Sequence, residues 1–125
     1  MSFGELKVLL SDDSVFARKK IKDYLLSIGV AEVFEASNGQ EAIDIYKEKK
    51  PDIVFMDIIM PVKTGIEAVT EILQFDSKAK VVMASSVGTQ NHLKEAINAG
   101  AYDFIQKPIE EKHVLKILQN LVKEG

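Results

Sequence analysis

Four short polar stretches carry the residues of this chain that can do chemistry: Ser11-Asp12-Asp13, Asp57, Ser85-Ser86 and Lys107-Pro108. Each closes or follows an apolar run. Asp57 is the plainest case, ending Ile53-Val54-Phe55-Met56 and preceding Ile58, Ile59 and Met60, with no basic residue beside it. Three carboxylates drawn together repel, since two like charges ~4 Å apart cost about 4 kcal/mol at an effective dielectric of ~20. Such a cluster needs a cation. All the donors on offer are oxygens, which suits a hard ion. Mg²⁺ accepts one or two carboxylates, keeps waters and binds phosphate, whereas Ca²⁺ demands more ligands than these residues supply. A carboxylate beside Mg²⁺ can attack phosphorus to give an aspartyl phosphate. A lysine ammonium and a serine hydroxyl would then meet the phosphoryl oxygens.

Taken singly, each residue has a plainer use. Asp12 or Asp13 suits the N-cap of a following helix. Ser85 suits a local turn bond, Lys107 a solvated surface and Asp57 a strand-end turn. Only their convergence makes a site, so the elements that carry them decide the matter.

Short β-rich runs at 6–10, 32–36, 52–56, 80–84 and 103–106 alternate with stretches of helical period at 15–28, 38–49, 65–75, 90–99 and 110–124. The runs 6–10, 52–56 and 80–84 are almost wholly apolar, as expected of strands covered on both faces. Ala17, Ile21, Tyr24, Leu25 and Ile28 share one helical face, and Gly29 suits its C-terminal cap. Asn38 with Glu41, and Thr64 with Glu67, have capping-box spacing. Val114, Ile117, Leu118 and Leu121 form the stripe of the last helix. Five strand–helix units predict an α/β, flavodoxin-like, doubly wound five-stranded parallel sheet of order 2-1-3-4-5, in one domain spanning residues 1–125. In that order strands 1, 3, 4 and 5 are neighbours, and their carboxyl ends deliver all four polar stretches to one crevice.

Composition narrows the function further. The chain has 125 residues, 16 Lys+Arg against 19 Asp+Glu, and no block of basic residues, which predicts no direct nucleic-acid binding. It has no cysteine, which excludes disulfides and thiolate metal sites. No segment reaches the ~20 apolar residues of a membrane span, and the N-terminus lacks a signal-peptide pattern, so a cytoplasmic location is expected. His92 and His113 read as surface residues; Met56, Met60 and Met83 read as core. Gly88 lies in a polar loop without a G-x-G-x-x-G context, so it suits loop motion rather than phosphate binding.

In order and spacing, the acidic pair Asp12-Asp13, the segment MDIIMP around Asp57, Ser85 and the KP at 107–108 resemble the receiver domains of two-component response regulators. MPVKTG at 60–65 and AGAYDFIQKP at 99–108 extend the likeness over essentially the whole chain. The resemblance implies that Asp57 is the phosphoacceptor, that Asp13 binds Mg²⁺ directly, and that Asp12 holds the ion partly through water. It also makes the carbonyl of Ile59 a metal ligand. By the same likeness, Ser85 is the switch hydroxyl, Lys107 pairs with the phosphoryl group, the Lys107–Pro108 peptide is cis, and Phe104 swings inward on activation. The implied partners are a histidine kinase or phosphorelay protein and a downstream protein bound through residues 90–124. Departures are Lys63 and Thr64, where methionine and Asp/Asn are common, Ser85 for threonine, Ser86 for a small residue, and Phe104, which lacks a phenol. The chain stops about one turn past its last apolar stripe, so a stand-alone switch is expected, in chemotaxis-type motor control or a phosphorelay. Its own phosphorylation and dephosphorylation would be its only catalysis. The alternative, a small Mg²⁺-dependent phosphohydrolase with an aspartyl intermediate, commonly uses a second carboxylate two residues past the nucleophile, and Ile59 stands there. An FMN carrier of the same sheet order would place its phosphate loop at Ser11–Ser14, where two aspartates repel it.

Overall fold

Strands form where the β-branched and aromatic runs predict them. They are β1 (Lys7–Ser11), β2 (Glu32–Ala36), β3 (Ile53–Asp57), β4 (Val81–Ser85) and β5 (Asp103–Gln106) in a computed structural model that describes residues 2–86 and 91–124. All pairs are parallel, and the order is β2-β1-β3-β4-β5, as expected. The helices are α1 (Val15–Ser27), α2 (Gly39–Lys49), α3 (Gly65–Phe75), α4 (Leu93–Asn98) and α5 (Glu111–Glu124). The fourth helix is shorter than the expected 90–99, and residues 87–90, with Val87 and Gly88, lie outside the described residues.

Period-two alternation sends the strand side chains into two cores. Leu9, Val54, Met56, Val81 and Met83 pack with α2, α3 and α4 residues on one face. Val8, Leu10, Ile53, Phe55, Val82, Ala84 and Ile105 pack with α1 and α5 on the other. α5 buries Val114, Ile117, Leu118 and Leu121, the predicted stripe; each such side chain contributes about 1.5–3 kcal/mol.

The helix ends follow local chemistry, with one correction. Ser14, not Asp12 or Asp13, is the N-cap of α1: its side chain accepts from the Ala17 amide. Thr64 and Glu67 form a reciprocal capping box. Asn38 accepts from the Glu41 amide, but the Glu41 carboxylate reaches back one residue further, taking the Ser37 amide at 2.7 Å. Gly29 and Gly100, past the ends of α1 and α4, have φ of 96° and 107°, which suits glycine.

Candidate functional site

The same alternation sets the site. Along β1 and its continuation, Leu10 and Asp12 share a face; along β3, Phe55 and Asp57 do; past β5, Ile105 and Lys107 do. All three polar residues therefore emerge from the α1/α5 side of the sheet at its carboxyl edge. They meet there: Lys107 Nζ donates to Asp12 Oδ2 at 2.7 Å and to Asp57 Oδ2 at 2.8 Å. Asp13 joins them, since Asp12, Asp13 and Asp57 each offer a carboxylate oxygen within 4.8 Å of the others.

The carboxylates differ in how they are held. Asp12 is bonded at every polar atom. Its amide donates to the Ala36 carbonyl at 3.1 Å, its Oδ1 accepts from the Ser14 amide at 2.8 Å, its Oδ2 takes Lys107, and its carbonyl accepts from Arg18 Nη1. Asp13 is exposed, and no described residue hydrogen-bonds its carboxylate. Asp57 is 9% exposed. Burial pushes its carboxyl above the usual carboxylate range against the pull of Lys107; the Asp12 charge adds to the rise, and the Ile59 amide opposes it. Asp12 and Asp57 line a cavity of about 30 Å³ with Leu10, Ile21, Phe55, Ala84, Ile109 and Val114, apolar surroundings of the kind that disfavour a charged carboxylate. Burial disfavours the Lys107 ammonium, but its bonds to the two aspartates outweigh it and hold its pKa above the ordinary value.

The loop after β3 is pinned by two close approaches. A Cβ at Gly65 would lie 2.1 Å from the Asp57 backbone oxygen, and one at Gly39 would lie 2.3 Å from the Lys63 oxygen. Only glycine lets the starts of α3 and α2 press this close. Between them Val62 takes φ 69°, uncommon for a β-branched residue, with the Lys63 amide donating to the Pro61 carbonyl at 2.8 Å. Gly39 was not legible as part of the site, because the contact it permits spans distant segments.

The remaining predicted residues line the other wall. Asp57 is in register with Ala84, so Ser85, 2% exposed, sits one residue beyond it on β4. The Lys107 amide donates to the Ser85 carbonyl at 2.7 Å, tying the ends of β4 and β5, and the Lys107–Pro108 bond is cis as expected. Phe104 is 44% exposed on β5. Ile59 is half exposed beside Asp57. His113 is exposed as read, and the part-exposed His92 has its Nδ1 3.7 Å from Glu95 Oε1. Met56, Met60 and Met83 are buried.

An all-oxygen donor set in which no described residue bonds the Asp13 carboxylate fits a hard divalent cation. Beside a desolvated carboxylate and a fixed ammonium, that arrangement is suited to accepting a phosphoryl group, so the fold and site define a phosphoacceptor switch. The chain belongs to the response regulator receiver domain family, whose model matches residues 8–119. It is 45% identical over 117 residues to the chemotaxis protein CheY of Thermotoga maritima, covering 94% of this chain and 98% of that protein. It is 46% identical over 116 residues to protein CcdB of Bacillus subtilis, covering 93% and 97%. Among solved structures, a chain of the CheX–CheY–BeF3–Mg²⁺ complex from Borrelia burgdorferi matches with a TM-score of 0.86 at 35% identity, covering 94% of this chain and 89% of that one. No helix among the described residues is long and apolar enough to cross a membrane.

Proposed function

We propose that Asp57 is the phosphoacceptor and that a histidine kinase or relay protein supplies its phosphoryl group. The observation that carries this reading is the convergence of Asp12, Asp13 and Asp57 within 4.8 Å of one another, with Lys107 bonded to two of them. An Asp57 oxygen attacks phosphorus, the new O–P bond forms as the donor's N–P bond breaks, and the imidazole departs with the electron pair. Asp12, Asp13, Asp57 and the Ile59 carbonyl would hold Mg²⁺. When bound, the ion neutralises charge developing on the phosphoryl oxygens. Lys107, already 2.8 Å from Asp57, meets the same charge from the β5 side. Ser85 donates its hydroxyl to a phosphoryl oxygen, and the space it leaves is filled by Phe104 turning inward.

Output is protein binding through the surface of residues 90–124, in the cytoplasm and in a chemotaxis-type pathway. The names of the relatives and the presence of CheX in the Borrelia complex support that choice. Catalysis is confined to the chain's own Asp57. The reading is tested by phosphotransfer from labelled histidine kinases of the source organism. One kinase should label the wild-type chain rapidly and leave Asp57→Asn unlabelled; label retained in Asp57→Asn would refute the assignment.

A further inference from the structure

We infer that Arg18 is a positioning residue that aims Asp13 into the cation site by clamping the peptide between Asp12 and Asp13; this rests on the Mg²⁺ reading above. The Arg18 side chain is 12% exposed, so its charge needs partners, and it has two. Nη1 donates to the Asp12 carbonyl, and Nε donates to Glu35 Oε1 on β2 at 3.2 Å. Glu35 is itself held, its Oε2 accepting from Lys22 Nζ at 3.3 Å, one further turn along α1. The guanidinium thus bridges β2 and the carboxyl end of β1.

The carbonyl it grips belongs to the planar peptide that carries the Asp13 nitrogen. Fixing that plane fixes where the Asp13 side chain begins. Asp13 needs this help more than its neighbours do. No described residue bonds its carboxylate, while Asp12 and Asp57 both repel it. Without a clamp, that repulsion drives Asp13 toward solvent, and each binding event must bring it back. Arg18 holds the backbone in place before the ion arrives, which is preorganisation of a ligand by a residue that does not touch the metal. Lysine is a poor substitute, because a single ammonium cannot present the planar fork that serves a carbonyl and a carboxylate together.

The test is isothermal titration of Mg²⁺ into the full chain as wild type, Arg18→Met, Arg18→Lys and Glu35→Gln, with a metal-free melting curve for each. Arg18→Met should weaken Mg²⁺ binding by about tenfold or more. Arg18→Lys should recover part of that loss, and Glu35→Gln should weaken binding by about threefold. The amide resonances of Asp13 and Ser14 should move in step with affinity. A merely structural role predicts instead a lower melting temperature with unchanged affinity in the folded variant. Folded Arg18→Met binding within twofold of wild type would overturn the inference; should that variant not fold, Arg18→Lys and Glu35→Gln both within twofold would do so. Wild type that takes up no Mg²⁺ would overturn the metal reading itself, and the inference with it.

Discussion

Along β1 and β3 every polar atom of Asp12 is bonded and Asp57 is almost buried, and β4 beside them is buried throughout, whereas at β5 and α4 the packing thins toward solvent. β3 is buried at all five positions, but β5 buries only Ile105 of its four, leaving Phe104 at 44% exposure. α4 buries only Ala96, while α5 buries four residues. Chemistry that positions phosphorus needs the first kind of region, because small misplacements of a reacting group cost rate. A readout needs the second, because a two-state element must be cheap to move. Lys107 lies between the two regions: it follows β5, its ammonium bonds Asp12 and Asp57, and its amide donates to the Ser85 carbonyl.

The largest expected effect lies in the first region. Mg²⁺ at ~100 times its Kd should stabilise the protein by about 2.7 kcal/mol, a rise in Tm on the order of 10 °C. Asp13→Asn should lose most of that rise yet melt higher than wild type without metal, because one repelling charge is gone. Melting curves with and without Mg²⁺ check both, and an equal rise in the variant would remove Asp13 from the site.

Lys107→Ala should separate the two regions. Phosphorylation should persist at reduced yield, while the amide shifts of residues 91–106 that accompany it should fall by more than half. A full shift pattern in the variant would mean that the lysine does not couple the two sides. Phe104→Ala acts on the second region alone. Its side chain is half exposed, so stability should change little, but loss of an aromatic anchor should weaken binding of the downstream partner by about tenfold. Undiminished binding of the phosphorylated variant would shift the output surface elsewhere.

The smallest effect concerns lifetime. Ile59 beside Asp57 is apolar and stiff at χ1, so it cannot orient an attacking water. Val87, the apolar residue two past Ser85, lies outside the described residues. Ile59→Asn should release phosphate severalfold faster than wild type. Equal decay rates would show that the apolar gate does not set the lifetime.

Much of this was legible in the chain because parallel strands announce themselves by apolar runs and end where polarity returns. Asp57, Ser85 and Lys107 each sit at such an end, and the sheet order brings the ends together. What stayed hidden depends on distance rather than pattern. The Arg18–Asp12–Glu35 bridge joins α1 to β2, and the Gly39 contact joins α2 to the loop after β3. No periodicity marks either one. The cap of α1 was misplaced for a related reason: Asp12 and Asp13 look like caps, but one is committed to Lys107 and the other faces the pocket, leaving Ser14 to close the helix.

The central claim is that Asp57 takes a phosphoryl group in a pocket that needs a divalent cation. Intact mass measured after incubation with acetyl phosphate tests it most directly, using wild type and Asp57→Asn with Mg²⁺ or with a chelator. The account predicts one added phosphoryl group on wild type with Mg²⁺, none with the chelator, and none on Asp57→Asn in either condition. A phosphoryl group found on Ser85 or any other residue, or one added to Asp57 as readily without the metal, would contradict it.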